Sequence, residues 1–244
     1  MRNHQKISVE ERKTDIKSMF DNIASRYDFL NHFMSFGIDR KWRRKAIERI
    51  GETHKNPMIL DVATGTGDLA VAAMKLDPVH ITGIDISGKM LEIGKKKIKK
   101  LGLSAKIELM AGDSENISFG DNNFDVAMVA FGVRNFADPL KGLSEMRRVI
   151  REGGLIMVLE FSKPSAFPFR QIYGFYFMKI LPLTGRLFSK NRTAYRYLPE
   201  SVMQFPDNEQ FLELMRKAGF SELKQKKLTF GVVSIYTGFK LQMQ

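Results

Sequence analysis

Residues 59–68 read Ile-Leu-Asp-Val-Ala-Thr-Gly-Thr-Gly-Asp, a short apolar run that turns on two glycines into a helix start. A buried strand has to end there, the backbone has to reverse within a few residues, and a helix has to begin. That sequence of events is the opening unit of a parallel α/β sheet. Glycine is needed because the chain turns sharply and comes close to whatever binds in the crevice.

The rest of the chain continues the alternation. Strands are predicted at 58–62, 81–85, 106–110, 124–131 and 154–161; the fourth is apolar almost throughout, as a central strand buried on both faces is. Helices are predicted over 68–76, from a Ser87 cap to Lys100, and over 138–150, where Asp138-Pro139 supplies a cap and a first-turn proline. A helix over 207–219 precedes two strands, 223–228 and 232–240, that read as a closing antiparallel hairpin. The expectation is a doubly wound α/β fold on a mostly parallel, seven-stranded sheet. Ahead of it, Ile16, Met19, Phe20, Ile23 and Tyr27 recur at helical spacing over 15–27. A second helix carries Trp42, Ala46, Ile47 and Ile50, has a basic face from Arg40 to Lys45, and ends at Gly51. With 244 residues, the expectation is one domain: N-terminal helices over 1–56, a cofactor-binding core over 57–163, an insertion over 164–200 and a closing unit over 201–244.

The glycine turn alone leaves two ligands open, because Gly65-x-Gly67-x-x-Ala70 also satisfies the dinucleotide fingerprint. Asp61 separates them. A pyrophosphate on the following helix would meet that carboxylate at short range, whereas S-adenosylmethionine brings a sulfonium and an ammonium that it favours. The methionine carboxylate can use the free N–H groups of the turn and helix start. Asp85 closes the next strand, where a carboxylate accepts hydrogen bonds from ribose hydroxyls. Gly112-Asp113-Ser114 follows the third strand, where the purine would lie; a turn capping its own backbone is the other reading. The residues themselves point to Asp61, Gly65, Gly67, Asp85 and Asp113 as the cofactor set.

Composition narrows the chemistry further. There is no cysteine, which removes disulfides, thiolate metal sites and covalent cysteine catalysis; the four histidines show no ligand spacing, so no metal is expected. A net charge of +12 points to nucleic acid or an anionic membrane as partner, or to solvated helix faces. No run approaches the roughly 18 apolar residues of a membrane-spanning helix. The N-terminal residues lack the apolar core of a signal peptide. The expectation is a cytoplasmic protein with a peripheral place at the inner face of the membrane. A nucleic-acid methyltransferase is disfavoured, since no Asn/Asp-Pro-Pro-aromatic run follows the fourth strand. An oxidoreductase is disfavoured by Asp61 and by the lack of a second domain, and a non-catalytic scaffold by the intact glycine turn.

Three segments carry a closer resemblance. Tyr27-Asp-Phe-Leu-Asn31 with Ser35 and Trp42, Phe131-Gly-Val-Arg-Asn135, and Arg148-Val-Ile-Arg-Glu-Gly-Gly154 through Pro164 resemble the C-methyltransferases of menaquinone and ubiquinone biosynthesis. The resemblance runs from about residue 12 to the end. It implies a Rossmann-like class I S-adenosylmethionine-dependent methyltransferase fold with a lid insertion after the fifth strand. It implies that Thr66, Asp85, Asp113 and Ser114 contact the cofactor, and that a ring carbon of a prenylated quinol is methylated. The acceptor is demethylmenaquinol in menaquinone synthesis; related members take 2-methoxy-6-polyprenyl-1,4-benzoquinol. Two positions depart from the family's pattern: Asp39 stands where a histidine is common, and Ala130 where many relatives have serine.

Methylation at carbon needs the electron-rich quinol rather than the quinone, and ionising a hydroxyl raises electron density on the adjacent carbon. The catalytic candidates are Arg134, to stabilise the developing quinolate, Asn135, to orient the hydroxyl or a water, and Tyr27, to help close the site. For Arg134 the alternative is a structural ion pair with Asp138 or Glu160; for Tyr27 it is packing. Residues 164–198 contain no acid and six basic residues among dense aromatics. This composition suits a lid that leans on a bilayer, with Arg186, Lys190 and Arg192 facing anionic lipid; a helical insertion packed on the sheet is the other reading.

Overall fold

The computed structural model describes residues 8–35, 37–175 and 192–241. In chain order the elements are α1 (Val9–Met34), α2 (Asp39–Gly51), β1 (Met58–Val62), α3 (Asp68–Ala73), β2 (His80–Asp85), α4 (Gly88–Lys100), β3 (Ile107–Ala111), β4 (Phe124–Ala130), α5 (Pro139–Val149), β5 (Ile150–Phe161), α6 (Phe169–Phe175), α7 (Arg192–Gln204), α8 (Glu209–Lys217), β6 (Ser221–Leu228) and β7 (Val233–Phe239). The strands form one seven-stranded sheet in the order β3-β2-β1-β4-β5-β7-β6. β1 to β5 run parallel, and β7 is antiparallel to both β5 and β6.

The sheet is covered on both faces. On one, Trp42, Ala46, Ile47 and Ile50 of α2 pack with α3, α4 and the strands. On the other, Leu143, Met146 and Val149 of α5 meet Phe211 and Met215 of α8. β1 lies between β2 and β4, so the chain leaves it towards both edges. In open α/β sheets the crevice beyond the carboxyl ends of such strands is where ligands bind.

Element boundaries depart from the sequence expectation where local chemistry extends them. α1 begins at Val9 because Ser8 and Glu11 form a capping box: the Glu11 carboxylate accepts the Ser8 N–H at 2.8 Å, and the Glu11 N–H donates to Ser8 Oγ at 3.2 Å. β5 begins at Ile150 rather than Gly154, with a register shift opposite Phe124–Val126 that takes up Arg151–Gly153. At Gly154 a Cβ would lie 2.4 Å from Ile150 Cγ2, which is why glycine is needed at this kink. Ser87 and Asp138 cap α4 and α5 as expected. Of the insertion, α6 and α7 are described; residues 176–191, with Arg186 and Lys190, and the side chain of Arg192 lie outside the described residues.

Candidate active site

A cavity with about 690 Å³ of empty space, part of it open to solvent, lies at the carboxyl ends of β1, β2 and β4. Its floor is the glycine turn. Gly65 and Gly67 hold φ of +57° and +80°, values that side chains disfavour, and a Cβ on Gly65 would meet only the Tyr27 ring at 4.0 Å. Opposite, a Cβ on Gly132 would lie 2.7 Å from Ala63 Cβ, so the two loops approach with no room for a side chain.

Asp85 stands at the rim. Its Oδ2 accepts the Gly65 N–H and its Oδ1 the Ser87 N–H, each at 2.8 Å, and the residue lines the cavity. Burial holds its pKa above the usual carboxylate range. Asp61 lies behind the turn, 1% exposed, accepting from Thr64 Oγ1 at 2.6 Å; its Oδ1 has no hydrogen-bond partner among the described residues. Burial pushes its pKa up to about 7, the nearby Asp85 adds to this, and the Thr64 bond opposes it. Thr66 is also buried and donates to Asp28 of α1 at 2.6 Å, while Lys97 bridges Asp28, Thr66 and Asp68.

Of the expected cofactor residues, Gly65, Asp85, Asp113 and Ser114 line the cavity. Asp61, Thr66 and Gly67 shape the turn from behind. The arrangement fits S-adenosylmethionine: an orphaned buried carboxylate oxygen behind the turn, a second carboxylate on the rim and a side-chain-free cradle between them.

The catalytic candidates separate. Tyr27 and Asn135 line the cavity. Asn135 Oδ1 accepts from Tyr197 of α7 at 3.0 Å, and its Nδ2 donates to the Phe131 carbonyl at 3.4 Å. Arg134 is not on the wall. Its guanidinium, 6% exposed, pairs with the fully buried Glu160 at 2.9 Å and donates to the Phe131 carbonyl. Asp138, the other partner considered, caps α5 instead. The Nε of Arg134 has no partner among the described residues.

Sequence reasoning found the apolar stripe of α1 but not what it covers. Lys13, Ile16, Phe20 and Tyr27, on one helical face, form one wall of the cavity. Lys13 bonds Asp113 at 2.7 Å and Glu115 at 3.1 Å, closing the expected purine end; its long-range partners left no local signal. Asp39, in place of the family's histidine, is buried against Arg43, whose guanidinium also reaches Asp68 at 3.6 Å. Ala130 presents a methyl group to the cavity.

A sequence model of the ubiE/COQ5 methyltransferase family matches residues 6–240. The chain is 48% identical over 234 residues to the ubiquinone/menaquinone biosynthesis C-methyltransferase UbiE of Geotalea daltonii, covering 95% of this chain and 99% of that one. It is 45% identical over 231 residues to the demethylmenaquinone methyltransferase of Bacteroides fragilis, covering 94% of each. Among solved structures it resembles a SAM-dependent methyltransferase of Thermotoga maritima described as a possible histamine N-methyltransferase, with a TM-score of 0.65 at 20% identity over 92% of this chain and 99% of that one. Phosphoethanolamine N-methyltransferase 2 of Haemonchus contortus, solved with S-adenosyl-L-methionine, gives 0.63 at 15% identity over 93% of this chain and 60% of that one. At such identities the structural likeness establishes the class I methyltransferase fold.

Proposed function

The chain belongs to the ubiE/COQ5 methyltransferase family, and on that premise we propose that it converts demethylmenaquinol to menaquinol by S-adenosylmethionine-dependent C-methylation. The observation that carries this reading is the cavity itself, where the glycine turn and Asp85 face Tyr27, Asn135 and Phe131 across one space. The relative named demethylmenaquinone methyltransferase supports the naphthoquinol over the methoxy-benzoquinol.

S-adenosylmethionine, when bound, supplies an electrophilic methyl group. Asp85 would hold its ribose hydroxyls, the Gly65–Gly67 turn its methionine end, and Asp113 with Ser114 its purine. Asp61 sets a negative potential behind the turn that favours a cationic ligand. Tyr27 and Phe131 shape the apolar side against which a quinol ring lies flat. Holding the two reactants in line supplies roughly 7–11 kcal/mol in favourable cases.

Asn135 is the polar group on the acceptor side. Its carbonyl oxygen is taken by Tyr197 and one amide N–H by the Phe131 carbonyl, which leaves the second N–H to orient a quinol oxygen or a water. Arg134 acts from behind Asn135 through the Phe131 carbonyl they share, positioning the loop that presents Asn135 and adding positive charge behind it. With Glu160 beside it, it offers less than a free cation would. The insertion over 164–200 serves as the substrate lid, and Tyr197 brings its second half to the site. A prenyl tail ties the acceptor to a bilayer, so the protein works at an anionic membrane surface.

The test is a methyl-transfer assay with labelled S-adenosylmethionine and two short-chain acceptors, demethylmenaquinol and the methoxy-benzoquinol. Label should enter extractable lipid under reducing conditions, with demethylmenaquinol preferred. Cofactor binding without label in either quinol would overturn the acceptor assignment.

A further inference from the structure

The corner of the carboxyl edge where β5 ends is unlike the rest of the described surface. Phe161, the last residue of β5, pairs with Val233, the first of β7, so the β6–β7 turn lies beside the loop that leads from β5 into α6. The two segments are fastened together. Ser162 Oγ donates to the Gly231 carbonyl at 2.8 Å, and the rings of Phe169 and Phe230 stack with centroids 3.9 Å apart. From this joint three large aromatics project into solvent: Phe167 at 80% exposure, Phe230 at 69% and Phe175 at 62%.

The turn is held in place at a cost. Thr229 and Phe230 both have positive φ, at +47° and +56°, which non-glycine residues adopt only where the surroundings enforce it. The enforcement comes from inside: Trp42 Nε1–H donates to Thr229 Oγ1 at 2.7 Å, and the indole packs on Phe131 and Phe161. Phe131 lines the cavity, so one aromatic chain runs from the site to the exposed turn. Beside this braced turn, Phe167 and Phe230 keep most of their ring surface in solvent.

Cations lie on the segments that form this corner and on the neighbouring helix. Arg170 follows Phe169, Lys227 lies against Gly231, and Arg40 and Lys41 are exposed on the turn of α2 that carries Trp42. Acids of the neighbourhood are engaged: Asp39 is buried against Arg43, and Asp207 pairs with Lys163 at 3.0 Å. Apolar tips ringed by cations match an anionic bilayer, whose interface takes up aromatic rings while its head groups attract Lys and Arg.

We infer that this corner, built jointly by the β5–α6 loop and the β6–β7 turn, is the face that the protein lays on an anionic membrane. The inference rests on the prenylated acceptor proposed above and adds the place of contact, including a turn in the closing hairpin far in sequence from the insertion. It sets the carboxyl edge, and with it the cavity, towards the lipid that holds the acceptor.

The experiment measures flotation of the full chain with phosphatidylglycerol/phosphatidylcholine vesicles, without quinol present. Wild type should float with anionic vesicles and lose binding as salt rises. Phe167→Ser/Phe230→Ser should weaken binding by at least about tenfold, given the transfer free energy of two phenyl rings. The double variant should keep the melting midpoint of wild type within about 2 °C, since both rings are mostly exposed. In a Phe230→Trp chain, brominated lipid should quench the added indole, with buried Trp42 as constant background. Unchanged flotation of the double variant, or no flotation of wild type, would overturn the inference. So would a wild-type dimer that the double variant lacks while flotation is unchanged, which would assign the face to a second copy. Failure of wild type to methylate either short-chain quinol would count against the acceptor reading alone, because flotation is measured independently of it.

Discussion

Asp61 shows how one buried carboxylate ties the fold to its ligand. Its ordinary pKa of 3.8 rises to about 7 in the folded chain, chiefly through burial. A carboxylate whose folded pKa is raised favours the folded state fully below about 3.8 and loses that contribution as pH rises through about 7. A cationic ligand favours the ionised form, so binding expels a proton near neutrality. S-adenosylmethionine affinity should therefore rise with pH through about 7, and Asp61→Asn should flatten that dependence; calorimetry in buffers of different ionisation heat reads the proton directly. Arg134 and Glu160 pose a second residue-scale question. Removing one partner of a buried pair costs about 3–5 kcal/mol, whereas replacing both with apolar groups is often neutral. Arg134→Met should lower stability in denaturant titrations, and Arg134→Met/Glu160→Leu should recover most of it. Turnover that stays low in the recovered double variant supports a role in the reaction; turnover that recovers with stability makes the pair purely structural.

At the scale of elements, α1 stands out because it spans Val9–Met34, well beyond the 15–27 that its apolar spacing predicts. One face carries Lys13, Ile16, Phe20 and Tyr27 to the cavity. Beside it, Lys13, Asp21 and Asp28 fasten the helix to three separate loops: the one after β3, the one before α4 and the glycine turn. The helix is thus a strap across the expected cofactor site, and ligand exchange has to work against its fastenings. Lys13→Met removes the fastening nearest the purine end. Partly exposed ion pairs are worth about 0.2–1 kcal/mol, so release of S-adenosylhomocysteine should quicken by up to about fivefold in stopped-flow measurements. An unchanged release rate would mean that α1 opens elsewhere or not at all.

For the whole molecule, strap, turn and sheet should respond as one unit. A ligand that binds only the folded chain at a hundred times its dissociation constant adds about 2.7 kcal/mol of stability. For a chain of this size that raises the melting midpoint by about 5–10 °C. S-adenosylhomocysteine should produce such a shift in calorimetry as a single transition. A split transition would show that α1 melts apart from the sheet. No helix among the described residues is long and apolar enough to cross a membrane, and the proposed bilayer contact rests on surface features such as the Phe167–Phe230 corner.

Periodicity and glycine chemistry are local, so the strands, the helices between them and the turn at Gly65–Gly67 were legible from neighbours a few residues apart. Resemblance in the segments around Tyr27 and Phe131–Asn135 pointed to the family, and both segments do reach the cavity. What no local pattern held was which distant groups meet. The sequence offered Asp138 and Glu160 equally as partners of Arg134, and only the pairing of β4 with β5 sets Glu160 beside it. Lys13 gave no local signal, and only the placement of α1 brings it to Asp113. Phe230 read as part of a hairpin until β7 paired with β5 and brought it against Phe169. Burial and charge pairing are decided by contacts far apart in the chain, so the kind of chemistry could be read in one dimension and its arrangement only in three.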